Sequence, residues 1–140
     1  MLALGDCLNL GEFVRPFADV NFGIGVCIVD EYELRKNYLV EANGRGVLRT
    51  VEKPLGSLGL CGMGTLFLCK KVFDYIERLR LPSQSTSVDL TGTIQLAIGM
   101  GEEVVPVWFN GTYINVTYPG DIEKAERILN ANTSRPQYNS

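Results

Sequence analysis

The chain of 140 residues contains no histidine. This absence excludes imidazole metal ligands, the Ser-His and Cys-His pairs of nucleophilic catalysis, and acid–base chemistry by imidazole. Four cysteines are present, at positions 7, 27, 61 and 69, but their spacing matches no zinc or redox motif. We therefore expect Cys7, Cys27, Cys61 and Cys69 to act as small apolar side chains in a reducing compartment.

Long apolar runs and a cationic surface are also missing. No apolar run approaches the ~20 residues that a membrane span requires. The first ten residues lack the basic segment of a secretory signal, and Asp6 interrupts them. The net charge of −3 argues against nucleic acid, whose phosphates need a cationic face. We expect a cytoplasmic protein that binds neither a membrane nor nucleic acid.

The composition that remains is typical of one globular domain. Hydrophobic residues make up 46% of the chain and charged residues 21%. Strand-like runs mixed with helical patterns predict an α/β domain with a partly mixed sheet. We expect this single domain to occupy residues 1–132, followed by a flexible polar tail at 133–140.

Hydrophobic periodicity and turn residues predict the elements of this domain. The predicted strands are residues 1–4 (buried and parallel), 23–29, 63–69, 104–109 and 112–116, with a turn at Asn110-Gly111 between the last two. A hairpin is predicted from 38–42 and 47–51. The predicted helices are a short one within 10–19, one at 70–79, one at 90–100 capped by Asp89, and one from Pro119 with Ile122, Ala125, Ile128 and Leu129 facing inward. Residues 30–35 are predicted to form a short amphipathic turn.

Two short segments place an oxygen-bearing side chain directly after an apolar run: Leu4-Gly5-Asp6, and Tyr113-Ile114-Asn115. Ligands of open α/β sheets bind beyond the carboxyl ends of the strands. A carboxylate and an amide that converge there can share a hard cation such as Mg²⁺. Taken alone, each residue is more often a turn former or a helix cap.

A third polar pair, Glu52-Lys53, ends another apolar run before Pro54. By itself such a pair is usually solvated. Together with Asp6 and Asn115, it predicts part of a phosphate-handling site.

The order of these segments resembles the later part of the sugar-1-phosphate nucleotidyltransferases, the pyrophosphorylases that make UDP-, dTDP- or GDP-sugars. Leu4-Gly5-Asp6 resembles the family's L-G-D segment, and Val51-Glu52-Lys53-Pro54 resembles its V-E-K-P. Residues 62–67 with 72–76, residues 89–95 (E-L-T-D-A-I-Q in the family) and residues 113–125 (W-x-D-V-G-T-P-E-D) complete the match. The resemblance implies part of a doubly wound, Rossmann-like fold with a mixed sheet and a β-hairpin.

The resemblance also implies roles. Asp6 and Asn115 would hold the Mg²⁺ ion that bridges the nucleotide α-phosphate and the sugar phosphate. Lys53 would be the catalytic residue that neutralises the sugar phosphate, and Glu52 and Asp89 would contact the substrate. The implied substrates are a nucleoside triphosphate and a sugar-1-phosphate, joined by in-line attack on the α-phosphorus with release of pyrophosphate.

The chain departs from the family pattern at several points. Asn115 stands where the family usually has Asp, and Leu39 stands where a glycine is expected. The family's glycine-rich nucleotide loop would precede L-G-D and is not found in these residues. We therefore expect self-association or a separate amino-terminal half, and an isolated chain that is inactive or weakly active. Two alternatives remain: a non-catalytic sugar-phosphate-binding or assembly module, and an incomplete gene product. The sequence does not determine which nucleotide base or which sugar is accepted.

Overall fold

A computed structural model describes residues 1–14, 20–44, 46–52, 59–83 and 89–133. The strands of this part are β1 Leu2–Ala3, β2 Cys7–Phe13, β3 Phe22–Ile28, β4 Tyr38–Asn43, β5 Gly46–Glu52, β6 Leu60–Leu68 and β7 Val104–Asn115. The helices are α1 Glu31–Lys36, α2 Val72–Ser83, α3 Leu90–Gly99 and α4 Pro119–Thr133. This confirms the predicted α/β class. The tail predicted at 133–140 falls almost wholly outside the described residues.

The strands form one mixed sheet in the order β2-β7-β3-β6-β4-β5, and β1 pairs with β6. Strands β3 and β7 run parallel, and the other described pairs are antiparallel. The prediction of a buried parallel strand at residues 1–4 is wrong. The short strand β1 is antiparallel to β6, and Leu2 is 40% exposed, because β1 lies at an edge and has one neighbour.

Strand β7 is continuous where the sequence predicts two strands and a turn. Its first half, Val104 to Trp108, pairs with β3, and its second half, Phe109 to Asn115, pairs with β2. The predicted helix within 10–19 is wrong at its start, because residues 10–13 belong to β2, which pairs with the second half of β7. Residues 15–19 lie outside the described part.

Gly111 serves this crossing of β7 and β2 rather than a turn. It pairs with Gly11, and the φ angles of the two residues are +157° and +156°. A Cβ atom at Gly111 would lie 2.3 Å from the Leu10 carbonyl oxygen, and one at Gly11 would lie 2.2 Å from that of Asn110. The two backbones can therefore approach only because neither residue has a side chain.

Helices α2, α3 and α4 begin within two residues of their predicted starts, and α2 continues to Ser83, beyond its predicted end at residue 79. Asp89 caps α3 as predicted, because its carboxylate accepts hydrogen bonds from Thr91 N at 3.1 Å and Gly92 N at 3.0 Å. The predicted turn at 30–35 is instead the helix α1, capped by Asp30. The inward face predicted for α4 is wrong in part, because Ile122 is 52% exposed and Leu129 is also exposed.

The core divides into two clusters of buried side chains on the sheet. One lies beneath α2 and α3 and includes Phe22, Ile24, Leu66, Tyr75 and Ile94. The other includes Leu34, Met63, Phe109 and Tyr113, together with Cys27 and Cys61. Cys27 and Cys61 are buried as expected, whereas Cys7 and Cys69 are half-buried, and all four thiols are free. Within the described segments, no helix is long and apolar enough to cross a membrane.

The close approach of β2 and β7 yields a stability test. We expect Gly111→Ala to lower the free energy of unfolding by about 2 kcal/mol or more, because the new methyl group meets the Leu10 carbonyl in a backbone conformation that alanine rarely adopts. Urea denaturation measures the change.

Gly99→Ala is the matched control for this substitution. A Cβ at Gly99 meets no atom within 4 Å at the end of α3. Because alanine stabilises a helix by up to about 1 kcal/mol relative to glycine, we expect this variant to be at least as stable as the native chain. Equal stability of the two variants would contradict the close approach of the backbones.

Candidate functional site

A cavity of about 320 Å³ opens where β5, β6, α3 and the end of β7 meet. Its apolar floor includes Ile24, Met63, Leu66 and Ile94. Its polar wall consists of Lys36, Asn37, Tyr38, Thr50, Glu52, Asp89, Thr91 and Asn115. An apolar cavity with a few convergent polar groups is typical of a small-molecule site.

Three of the predicted site residues line this cavity. Glu52 is the last residue of β5, Asp89 caps α3, and Asn115 is the last residue of β7. Each therefore lies at the end of an element, where a side chain can reach a ligand while the backbone stays in the sheet or helix. Lys53, predicted to be catalytic, lies outside the described residues.

Asp6 lies beside Asn115 but does not line the cavity. Its backbone carbonyl accepts a hydrogen bond from Val116 N at 2.8 Å, and the next residue, Cys7, pairs directly with Asn115. Asp6 and Asn115 are thus diagonal neighbours across the β2–β7 pair, although they lie 109 positions apart in the sequence. Asp6 is exposed at the entry to β2.

Thr91, which the sequence analysis did not single out, connects the two acids of the cavity wall. Its hydroxyl lies within hydrogen-bond distance of Glu52 Oε1 and, at 3.0 Å, of Asp89 Oδ1. Because a hydroxyl has one proton, it donates to one carboxylate at a time. Both carboxylates are therefore placed to accept hydrogen bonds from hydroxyl groups, and a sugar offers such groups.

A buried ion cluster beneath this wall was also missed. The Lys36 ammonium donates to Asp121 Oδ1 at 2.8 Å, to Glu33 Oε1 at 3.1 Å and to the Asn115 carbonyl at 2.6 Å. Its side chain is 3% exposed. Lys124 donates to Glu33 Oε1 at 2.9 Å, so two lysines balance two acids. The sequence signal was weak, because only the i,i+3 pair of Glu33 and Lys36 on α1 is local.

The cluster ties three elements together. Asp121, whose side chain is 1% exposed, also accepts hydrogen bonds from Thr117 N at 3.0 Å, Tyr118 N at 2.8 Å and the Tyr32 hydroxyl at 3.0 Å. It therefore caps the start of α4 while it binds Lys36 of α1. Since Lys36 also holds the last carbonyl of β7, the cluster fixes the end of the strand that carries Asn115.

Electrostatics in the cluster favour the charged forms. Burial alone would raise the pKa of Asp121, but the hydrogen bond from Lys36 and those from Tyr118, Tyr32 and Thr117 outweigh it and hold that pKa well below its usual range. Burial alone would lower the pKa of Lys36, but the hydrogen bonds to Asp121 and Glu33 outweigh it and raise that pKa. Both groups are therefore charged near neutral pH.

The predicted Mg²⁺ ligands, Asp6 and Asn115, lie side by side at the end of β7. Among the described residues, no group of three or more His, Cys, Asp or Glu side chains could hold a metal ion. Asp6 and Asn115 offer one carboxylate and one amide oxygen, and Mg²⁺ is commonly bound by one or two carboxylates together with waters and substrate phosphates. Asn115 Oδ1 accepts a hydrogen bond from the exposed Thr117 hydroxyl at 3.0 Å, so it faces away from the core. The donor set fits an ion that takes most of its ligands from substrate and water.

Comparison with solved structures identifies the fold. A candidate glucose-1-phosphate thymidylyltransferase from Bacillus anthracis, solved with a sucrose, superposes with a TM-score of 0.70 at 17% identity over 99% of this chain and 55% of that chain. The chain has the fold of the sugar-1-phosphate nucleotidyltransferases. No family model and no curated protein sequence matches it.

Two further nucleotidyltransferases show the same fold. An inositol-1-phosphate CTP transferase from T. maritima gives a TM-score of 0.64 at 18% identity over 94% of this chain and 55% of that chain. A UDP-glucose pyrophosphorylase complexed with UDP-glucose gives a TM-score of 0.64 at 13% identity, over 80% of this chain and 45% of that chain. The chain thus spans about half the length of the nucleotidyltransferase structures that it matches.

The buried cluster predicts a pH dependence. We expect Asp121→Asn to lower the free energy of unfolding at pH 7 by about 3 kcal/mol, because it removes one of the two carboxylates that pair with Lys36 and leaves two lysines beside one acid. Because the pKa of Asp121 is lowered in the folded chain, this difference is present above its unfolded value of about 3.9 and shrinks as the pH falls below it. Urea denaturation from pH 7 to pH 3 measures both variants.

Glu126→Gln, on the exposed side of the same helix, is the control and should leave stability nearly unchanged over this range. A difference between Asp121→Asn and the native chain that stays constant from pH 7 to pH 3 would rule out the charged cluster.

Proposed function

We propose that the chain supplies the sugar-phosphate and metal residues of a sugar-1-phosphate nucleotidyltransferase, which converts a nucleoside triphosphate and a sugar-1-phosphate to a nucleoside-diphosphate sugar and pyrophosphate. The observation that carries the proposal is the cavity in which Glu52, Asp89 and Asn115 meet, within a fold shared with such enzymes. Its volume of about 320 Å³ falls at the lower end of the ~300–1,000 Å³ that ligand pockets occupy.

Different residues of the chain would bind the sugar, the phosphate and the metal ion. Glu52 and Asp89 would accept hydrogen bonds from sugar hydroxyls, since each lies within hydrogen-bond distance of the Thr91 hydroxyl, which donates to one of them at a time. Lys53 directly follows Glu52 in the sequence, and its positive charge would neutralise the sugar phosphate. Asp6 and Asn115 would hold Mg²⁺, which supplies positive charge between the two phosphates.

The reaction needs no protein nucleophile. A sugar-phosphate oxygen attacks the α-phosphorus in line, so the protein contributes mainly positioning and charge neutralisation. The fixed end of β7 supports this role, because Lys36 holds the Asn115 carbonyl at 2.6 Å. The lack of histidine is compatible with such chemistry.

A binding module without transfer activity is the second candidate. Among the described residues that line the cavity, Lys36 is the one cation, and its ammonium already donates to three oxygens. A phosphate in the cavity would therefore depend on Lys53 for a free positive charge. This feature favours a module that binds the sugar and leaves catalysis to another part.

We also propose that the chain acts with a second copy or with a separate amino-terminal half. Met1, Leu2 and Leu4 are exposed around the edge strand β1, and Phe73 is exposed across the neighbouring groove. Exposed apolar side chains beside a strand edge favour pairing with another chain.

Pyrophosphate release tests the enzymatic role. The chain is incubated with Mg²⁺, glucose-1-phosphate and each nucleoside triphosphate in turn. We expect Asp6→Ala to lower the rate about 100-fold, because it removes the one charged residue assigned to the metal. Asp74→Ala, on the exposed surface of α2, should leave the rate unchanged. A rate that Asp6→Ala leaves unaltered would refute the metal role.

Binding of glucose-1-phosphate, measured by calorimetry, separates the two candidates. Weaker binding by Glu52→Gln and Asp89→Asn without any turnover would select the binding module. Binding that neither substitution weakens would contradict both candidates, because each depends on this cavity.

A further inference from the structure

The side chain of Asn115 is the outer end of a chain of buried hydrogen bonds. Gly64 N donates to the Tyr113 hydroxyl at 3.4 Å, and this hydroxyl lies 2.7 Å from Asn37 Oδ1. Asn115 Nδ2 lies 3.0 Å from the same oxygen, and Asn37 Nδ2 lies 2.7 Å from the Glu33 carbonyl. Asn37 is 7% exposed and Tyr113 is buried, so the inner members of this chain have little contact with solvent.

The two backbone ends of this chain fix its direction. A backbone N–H such as that of Gly64 only donates, and a carbonyl such as that of Glu33 only accepts. The Tyr113 oxygen therefore accepts from Gly64 and gives its proton to Asn37 Oδ1; the Cys7 sulfur, 3.5 Å away, is a weaker acceptor. The Asn37 amide in turn must direct its NH₂ group to Glu33 and its oxygen to Tyr113 and Asn115.

The orientation of Asn115 follows from that of Asn37. Asn37 Oδ1 is an acceptor, so Asn115 must present its NH₂ group there and turn its own oxygen outward, where the Thr117 hydroxyl donates to it at 3.0 Å. Its backbone carbonyl is held by Lys36 at 2.6 Å. Asn115 is thus fixed both at its main chain and at its amide.

We propose that Asn37 is a positioning residue, which turns the carbonyl oxygen of Asn115 out of the core and makes position 115 suited to an amide rather than a carboxylate. A carboxylate at 115 would place an oxygen against Asn37 Oδ1, where no proton separates the two acceptors. Rotation of the Asn37 amide does not relieve this contact, because it would turn Oδ1 toward the Glu33 carbonyl. The use of the outward oxygen as a metal ligand rests on the proposed function; its orientation does not.

This inference accounts for the departure of Asn115 from the acidic residue of the resembled motif. The neutral side chain is matched to its buried neighbour, so a negative charge introduced at position 115 would be opposed by Asn37. Asp6 then supplies the one formal negative charge of the predicted metal pair.

A cycle of variants measures the effect. Asn115→Ala and Asn115→Asp are prepared in the native chain and in an Asn37→Ala background, and urea denaturation at pH 7 gives their unfolding equilibrium constants. We expect the ratio of the Asn115→Asp constant to the Asn115→Ala constant to be at least fivefold larger in the native background. The neighbouring charges act on the introduced carboxylate in both backgrounds, so the comparison isolates Asn37. Equal ratios would overturn the proposal.

A measurement on the native chain guards against variants that fail to fold. In ¹H–¹⁵N spectra, the side-chain amide protons of Asn115 should exchange with solvent at least tenfold more slowly than those of the exposed Asn110. Exchange as fast as that of Asn110 would contradict a fixed amide.

Binding of Mn²⁺, followed by electron paramagnetic resonance, separates this inference from the proposed function. We expect Asp6→Ala to abolish binding and Asn37→Ala to weaken it about two- to fivefold. If the native chain binds no Mn²⁺, the metal role of Asp6 and Asn115 is refuted. If the Asn115 amide protons then exchange rapidly in Asn37→Ala, the positioning role of Asn37 is still supported. Unchanged Mn²⁺ affinity and unchanged amide exchange in Asn37→Ala would refute the positioning role alone.

Discussion

The pairing of β7 with two different strands is the constraint on which the site depends. Its first half is held by β3 inside the sheet, and its second half is held by β2 through the close approach of Gly11 and Gly111. Because β7 continues without a turn, its last residue, Asn115, lies in the cavity wall. Asp6 lies beside Asn115, because β2 pairs with this end of β7. A break at the glycine pair would separate these two residues from Glu52 and Asp89.

The buried ion cluster around Lys36 also holds the end of β7, and the stability of the fold is sensitive to the loss of any of its charges. Buried ion pairs contribute little net stability, but loss of one partner is costly because a charge is left without compensation. Here the three acceptors of Lys36 belong to α1, β7 and α4, so one buried charge connects these three elements. Asp121 is buried at the start of α4, whereas Ile122 and Leu129 of the same helix are exposed. This difference agrees with an attachment of α4 through Asp121.

Local signals in the sequence predicted much of the fold. The hairpin of β4 and β5, the Asp89 cap and the strand β6 depend on turn residues, caps and apolar runs within a few positions. The errors occur where distant partners decide: residues of β2 were assigned to a helix because their pairing with β7 is not visible locally. Likewise, Asn110-Gly111 has turn chemistry, but Gly11 across the sheet gives Gly111 another use. The Lys36–Asp121 contact joins residues 85 positions apart and had no local signal.

The candidate site combines both kinds of information, since motif resemblance selected Glu52, Asp89 and Asn115, and the sheet together with the start of α3 brings them to one cavity. The central claim is that Asp6 and Asn115 together bind one divalent ion next to this cavity. Crystals soaked with Mn²⁺ and glucose-1-phosphate test it most directly by anomalous diffraction. The account predicts a peak within coordination distance of an Asp6 carboxylate oxygen and Asn115 Oδ1, whereas a bound sugar phosphate with its Mn²⁺ peak distant from both residues would contradict it.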